Sequence, residues 1–199
     1  MDLEFKGKNI SLKNKVLSKL DMFVIDFVNI LKKYTDYVVV SGYVSILFGR
    51  SRGTEDIDIF INKIDMETFI KLNRELIGKQ YWFLNAENPG ELFGMLHDGL
   101  AVRIAAKDTV IPNIEIKFAK SDLDSISLRE HLVVNTGKDS INISPLELQI
   151  PFKLYLGSDK DIEDAVYLYD IFLKYLDKVK LKQYMSILKV KGAGYGIDV

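Results

Sequence analysis

In the run Asp56-Ile57-Asp58-Ile59-Phe60-Ile61, acidic or aromatic side chains alternate with isoleucine. A period of two is the mark of a half-buried β-strand. Such a strand turns both carboxylates to one face and its three isoleucines to the other. A chain carrying it must build a sheet with one side in the core and two carboxylates side by side on the opposite surface. Those carboxylates repel each other, and a hard divalent cation with oxygen ligands relieves the repulsion. Alone, the pair also fits a solvated sheet face, because short patterns recur by chance.

The preceding residues narrow the reading. Tyr37-Val38-Val39-Val40 is β-branched and short, as in a buried strand. Ser41-Gly42 ends it, and Tyr43 to Phe48 fits a short helix stopped by Gly49. A strand, a turn of small residues and a helix start present free backbone N–H groups, which suit phosphate. Arg50 and Arg52 are placed to clamp phosphate oxygens, and Thr54 to orient the loop or donate its hydroxyl. A third carboxylate completes a two-metal site. Glu115, between isoleucines in a predicted strand, fits best; Asp98 and Asp108 compete from loop positions, which hold geometry less well.

The stretch from Ser41 to Asp58 resembles the signature of the DNA polymerase β-type nucleotidyltransferase superfamily. It is most similar to prokaryotic toxin-type members from abortive-infection and toxin–antitoxin systems. Gly42, Gly49, Arg52, Thr54, Asp56 and Asp58 follow the family's order and spacing, with Ser41 where the family's turn begins with glycine. Pro145-Leu146-Glu147, Lys153-Leu154 and the run Lys160 to Asp164 resemble the family's helical region. The resemblance implies an α+β fold: a nucleotidyltransferase-like mixed sheet flanked by helices over 1–143, with a C-terminal helical region, 144–199, packed against it. It implies transfer of a nucleoside monophosphate from an NTP such as ATP to a hydroxyl acceptor, on RNA (tRNA included) or protein. Asp56, Asp58 and Glu115 are then the catalytic ligands of Mg²⁺ or Mn²⁺, and Ser41, Gly42, Arg50, Arg52, Thr54 and Lys153 the nucleotide-binding residues. It further implies a toxin with an antitoxin partner. The alternative is a catalytically inactive module of the same fold that binds a nucleotide or a partner protein.

The rest of the chain supplies the frame. Apolar spacing predicts a helix over Lys13 to Tyr34, with Val16 in its buried stripe, and another after Asp65 to about Gly78. Short strands are expected at Tyr81–Leu84, Leu92–Leu96, Ala101–Ala105, Ile114–Phe118, Leu132–Asn135 and Ile141–Ile143, with a turn at His97-Asp98-Gly99. Ser144-Pro145-Leu146-Glu147 reads as a capped helix start, with a kink near Pro151 and an end at Gly157. Two further helices follow, to about Tyr175 and about Lys191. Asp161 and Asp164 read as a cap and a solvated helix face, and Tyr43, Tyr155 and Tyr169 as partly buried core. Six lysines and one acid between Lys174 and Lys191 form a basic segment able to follow an RNA backbone. The glycines of 192–196 imitate a dinucleotide loop, but no helix can follow them, so they read as a flexible tail.

Composition removes other chemistries. With no cysteine there is no disulfide, thiolate nucleophile or cysteine-held metal. Two histidines disfavour a histidine-rich metal site, and a net charge of −1 gives no overall drive toward nucleic acid. The longest nearly apolar run, Tyr37 to Gly49, is too short to cross a bilayer. No apolar signal core follows the acidic first residues, so the expected setting is cytoplasmic, with no membrane partner.

Overall fold

The computed structural model describes residues 2–198. In chain order the elements are β1 (Asp2–Lys6), β2 (Asn9–Lys13), α1 (Lys19–Leu31), β3 (Tyr37–Val39), α2 (Gly42–Leu47), β4 (Asp56–Ile61) and α3 (Met66–Gly78). Then come β5 (Tyr81–Phe83), α4 (Pro89–Asp98), β6 (Val102–Ala106), β7 (Asn113–Phe118), α5 (Asp122–Glu130), β8 (Leu132–Thr136) and β9 (Asp139–Ile143). The helices α6 (Leu146–Leu156), α7 (Asp159–Phe172) and α8 (Lys178–Ile187) and a 3-10 turn, Ala193–Tyr195, close the chain.

Among the described residues, nine strands form one mixed sheet in the order β1-β2-β8-β9-β3-β4-β7-β6-β5. The pairs β2–β8, β3–β9 and β4–β7 are parallel and the others antiparallel. β4 lies centrally, between β3 and β7. Its isoleucines, with Ile114 and Ile116 of β7, are fully buried on one face. Burying each such side chain is worth about 1.5–3 kcal/mol. α4 packs on that side, where Phe93 and His97 meet the ring of Phe118. Phe69 of α3 meets Phe93 and Phe83, and Phe27 of α1 meets Tyr81. The opposite face, with both aspartates, is roofed by α5 and α6. No helix among the described residues is long and apolar enough to cross a membrane.

The sequence expectations hold best for β4, whose ends match the alternating run. Four readings are corrected. Residues 13–18 are not helical: Ser18 starts α1 with a capping box closed by Asp21, and Val16 is 91% exposed. Before it, β1 and β2 form a hairpin that adds to β8. Leu92–Leu96 is helical rather than a strand; Asn88 caps α4, Pro89 takes its first turn and Gly99, at φ 80°, ends it. The last residues are docked rather than flexible, since Ile197 is buried and the Tyr169 hydroxyl donates to the Asp198 carbonyl. α6 contains Pro151 as expected, but Ser144 does not cap it; its hydroxyl pairs with Ser127 of α5.

Candidate active site

β4 and β7 run in a six-pair parallel register that sets Asp56 beside Asn113 and Asp58 beside Glu115. Alternation puts all four on the face opposite the isoleucines, with Phe60 and Lys117. Adjacent strands lie about 4.8 Å apart, so Asp58 and Glu115 would repel strongly with nothing between them. Lys117 Nζ fills that place, 3.0 Å from Asp58 Oδ1 and 3.2 Å from Glu115 Oε2. Arg103, paired with Glu115 across β6, holds the second oxygen, Oε1, at 2.8 Å. Burial pulls the Lys117 ammonium down, but the Asp58 and Glu115 carboxylates outweigh it and keep it above its ordinary value. The group is therefore a fixed positive charge.

Glu115 is on the right face, but both its oxygens serve ion pairs. Among the described residues no three acidic, histidine or cysteine side chains gather to hold a metal. Asp98 and Asp108 do not replace it: Asp98 ends α4, and Asp108 follows β6 in a turn at φ 64°. What fits is smaller. Asp56 and Asp58 offer two carboxylates, and Mg²⁺ is commonly held by one or two carboxylates plus water and substrate phosphate. Asp56 is exposed at the open end of β4, and the Thr54 hydroxyl donates to its carbonyl at 2.9 Å. Thr54 thus shapes the loop.

The cations expected at the phosphates pair with acids of α7, although Arg52 also lies against the Gly42 turn and lines the groove past Asp56. Arg50 and Arg52 both pair with Asp164 of α7, and Arg50 also with Glu163. Lys153 of α6 is buried, 2.5 Å from Asp161 and 3.1 Å from Asp164. Burial pushes the Asp161 carboxyl up, but hydrogen bonds from Lys153 and Ser158 prevail and hold it below its ordinary value. Asp164 is fully buried, which corrects its reading as a solvated residue. Three cations meet three acids here, tying the Arg50–Arg52 loop to α7. Gly42 belongs to this junction: a Cβ there would lie 3.0 Å from the Arg52 guanidinium.

Ser41 stands at φ 64°, ψ −143°, a conformation that glycine adopts with least strain. Its carbonyl accepts from Gln149 Nε2 of α6 at 2.9 Å, so the helical region fixes the turn. Behind it, the fully buried Tyr43 donates to Asp21 at 2.9 Å; burial, helped by that carboxylate, pushes the phenol well above its ordinary value. Ser41→Gly should relieve the strain. The expected outcome is a gain of about 1 kcal/mol and a melting temperature higher by roughly 2–4 °C. Thermal unfolding checks it; a fall in stability would contradict the strain.

A cavity of about 270 Å³ opens between this turn, Asp58 and the roof. Val40 and Phe60 form its floor, and Leu123, Leu148 and Phe152 its apolar walls. That is near the lower end of ligand-pocket sizes, about 300–1,000 Å³. Tyr155, expected as partly buried, is 59% exposed, its ring 6.1 Å from Phe152. On the other side of the carboxylate pair, a groove of about 440 Å³ runs past Asp56 between the Arg52–Glu55 loop and Lys160. Lys160 makes no ion pair with the described residues. Lys117 and Gln149 were missed in the sequence, and Lys160 was read only as part of the helical-region resemblance. Only Lys117 had a local signal, two residues from Glu115 on the same strand face.

No protein-family model matches the chain, and no curated protein matches its sequence. Among solved structures, the chain is similar to an antigenic nucleotidyltransferase-like protein from Paracoccidioides brasiliensis. The two share 17% identity and a TM-score of 0.48, over 91% of this chain and 99% of that one. It is also similar to JHP933 from Helicobacter pylori, at 18% identity and TM-score 0.47, over 86% and 75% of the two chains. A third is MenT4, a nucleotidyltransferase toxin from Mycobacterium tuberculosis, at 15% identity and TM-score 0.47, over 87% and 64%. Likenesses of this degree assign no chemistry.

Proposed function

We propose that the chain is a nucleotidyltransferase that moves a nucleoside monophosphate from an NTP to a hydroxyl acceptor. The carrying observation is that Asp58 belongs at once to the carboxylate pair and to the apolar cavity. A nucleoside has the chemistry of that cavity: a flat apolar ring for Phe60 and Phe152, and polar edges for Ser127 and Gln149. With the base so lodged, the phosphates lie past Ser41 and Asp58 toward Asp56 and the groove at Lys160.

Asp56 and Asp58 are the residues to hold Mg²⁺ or Mn²⁺ together with the triphosphate. When bound, such an ion stabilises charge on phosphoryl oxygens and makes an acceptor hydroxyl more acidic. Phosphoryl transfer needs positioning and positive charge more than covalent help from the protein. Lys117 supplies fixed charge beside Asp58. Lys160 is placed for the far phosphates, and the Ser41–Gly42 turn, held by Gln149, orients the chain of phosphates. Arg50, Arg52 and Lys153 serve by holding the helical roof onto the sheet.

RNA is the favoured acceptor. Lys178 and Lys182 of α8 are exposed and make no ion pair with the described residues, whereas Lys180 pairs with Glu130. Exposed lysines along a helix supply the sequence-independent part of RNA affinity. A toxin role with an antitoxin partner extends this reading: expression of the chain then arrests growth, and Asp58→Asn relieves the arrest. One observation favours the second reading, a non-catalytic binding module: the cations expected at the triphosphate are already spent on α7. Incubation with Mg²⁺, cellular RNA and α- or γ-labelled NTP separates the two. Transfer expects the α-label on RNA and pyrophosphate in solution. Nucleotide binding without labelled RNA supports the module, and free phosphate would contradict both.

A further inference from the structure

The carboxylate face holds three negative groups, Asp56, Asp58 and Glu115, and two positive ones, Lys117 and Arg103. Lys117 lies in the place a cation shared by Asp58 and Glu115 would take, with one carboxylate oxygen of each partner at 3.0 and 3.2 Å. Arg103 closes the remaining Glu115 oxygen. The Lys117 backbone is held in the β4–β7 ladder, and its side chain lines the cavity. A divalent ion entering between Asp58 and Glu115 must displace an ammonium paired with both carboxylates, while Arg103 holds the far side of Glu115. At the other end of the pair, Lys160 lines the same groove as Asp56 but makes no ion pair with it. Asp56 is exposed and makes no ion pair with the described residues, and its strand neighbour is the neutral Asn113.

We propose that Lys117 is a built-in cation that replaces the second metal ion, so that this site takes a single divalent ion, at Asp56 and Asp58. The inference rests on the nucleotidyltransferase reading and sets its ion requirement. Lys117 is a positioning and specificity residue: it keeps Asp58 aimed, and it excludes a second ion electrostatically. Glu115 in turn anchors Lys117 and binds no ion itself.

The test is a Mn²⁺ titration of the full chain, with free Mn²⁺ read by electron paramagnetic resonance, in the presence of a saturating NTP analogue that cannot be cleaved between the α- and β-phosphates. Mn²⁺ bound by the analogue alone is measured in parallel and subtracted. Wild type is expected to take up one Mn²⁺ per chain. Lys117→Met keeps the side-chain length without the charge, and Lys117→Gln is a second, polar variant. Both are expected to take up two, the added site at least tenfold tighter than any second binding in wild type. Glu115→Gln in the wild-type background is expected to leave the count at one. Arg103 still pairs with Glu115 in both Lys117 variants, and a thermal melt checks that each is folded. Two ions in wild type, or one in both folded Lys117 variants, overturns the inference and leaves the nucleotidyltransferase reading standing. No protein-bound ion in wild type overturns both.

Discussion

Asp164→Ala should cost about 3–5 kcal/mol, the range for removing one partner from a buried ion pair. Asp164 is fully buried and meets three cations, Arg50, Arg52 and Lys153. Alanine leaves Lys153 at 1% exposure with only Asp161, and it releases both arginines from α7. At this chain length the melting temperature should fall by roughly 10 °C. Lys153→Met should cost less, because Asp164 keeps two arginines while an apolar side chain fills the same space. Urea unfolding monitored by circular dichroism measures both. A loss under 1 kcal/mol for Asp164→Ala would show that the network is solvated in solution and does not clamp the roof. The two arginines then become free for phosphate, which strengthens their original assignment.

Asp58→Asn should reduce NMP transfer by on the order of 10²–10³-fold, the usual effect of deleting one group that stabilises charge in the transition state. The substitution keeps the shape and the β4 ladder but removes the charge shared by the cavity and the carboxylate pair. Folding should change little, because Asp58 is partly exposed and Lys117 retains Glu115. Asp56→Asn should act in the same direction. Initial rates with α-labelled NTP, set beside thermal melts, separate chemistry from stability. Transfer at the wild-type rate in a folded Asp58→Asn protein would remove this residue from the chemistry.

The central strand and its turn were legible because their signal is local. Alternation over six residues fixed both the faces and the ends of β4, and Ser41-Gly42 marked the turn. The register that brings Glu115 beside Asp58 was not in the sequence, although the strand of Glu115 was. Nor could its engagement by Arg103 be read, since that contact depends on which strand neighbours β7. Asp164 was misread for a similar reason: its arginines are 112 and 114 residues away in the chain. A charged residue on a helix looks solvated until its partners are known. The β1–β2 hairpin was missed because β1 buries none of its residues and β2 only Ile10 and Leu12, with support from β8, which comes late in the chain. In α4, Leu92 and Leu96 are four apart on one buried helical face, but the apolar residues around them imitate a short strand.

The most direct measurement is a crystal structure of the full chain with Mn²⁺ and a nonhydrolysable NTP analogue, the ion located by its anomalous scattering. The expected result is a base between Phe60 and Phe152, a triphosphate running past Ser41, and one ion at Asp56 and Asp58. An analogue bound away from Asp58, or no ion at that carboxylate pair, would contradict the assignment of this face as the site of nucleotidyl transfer.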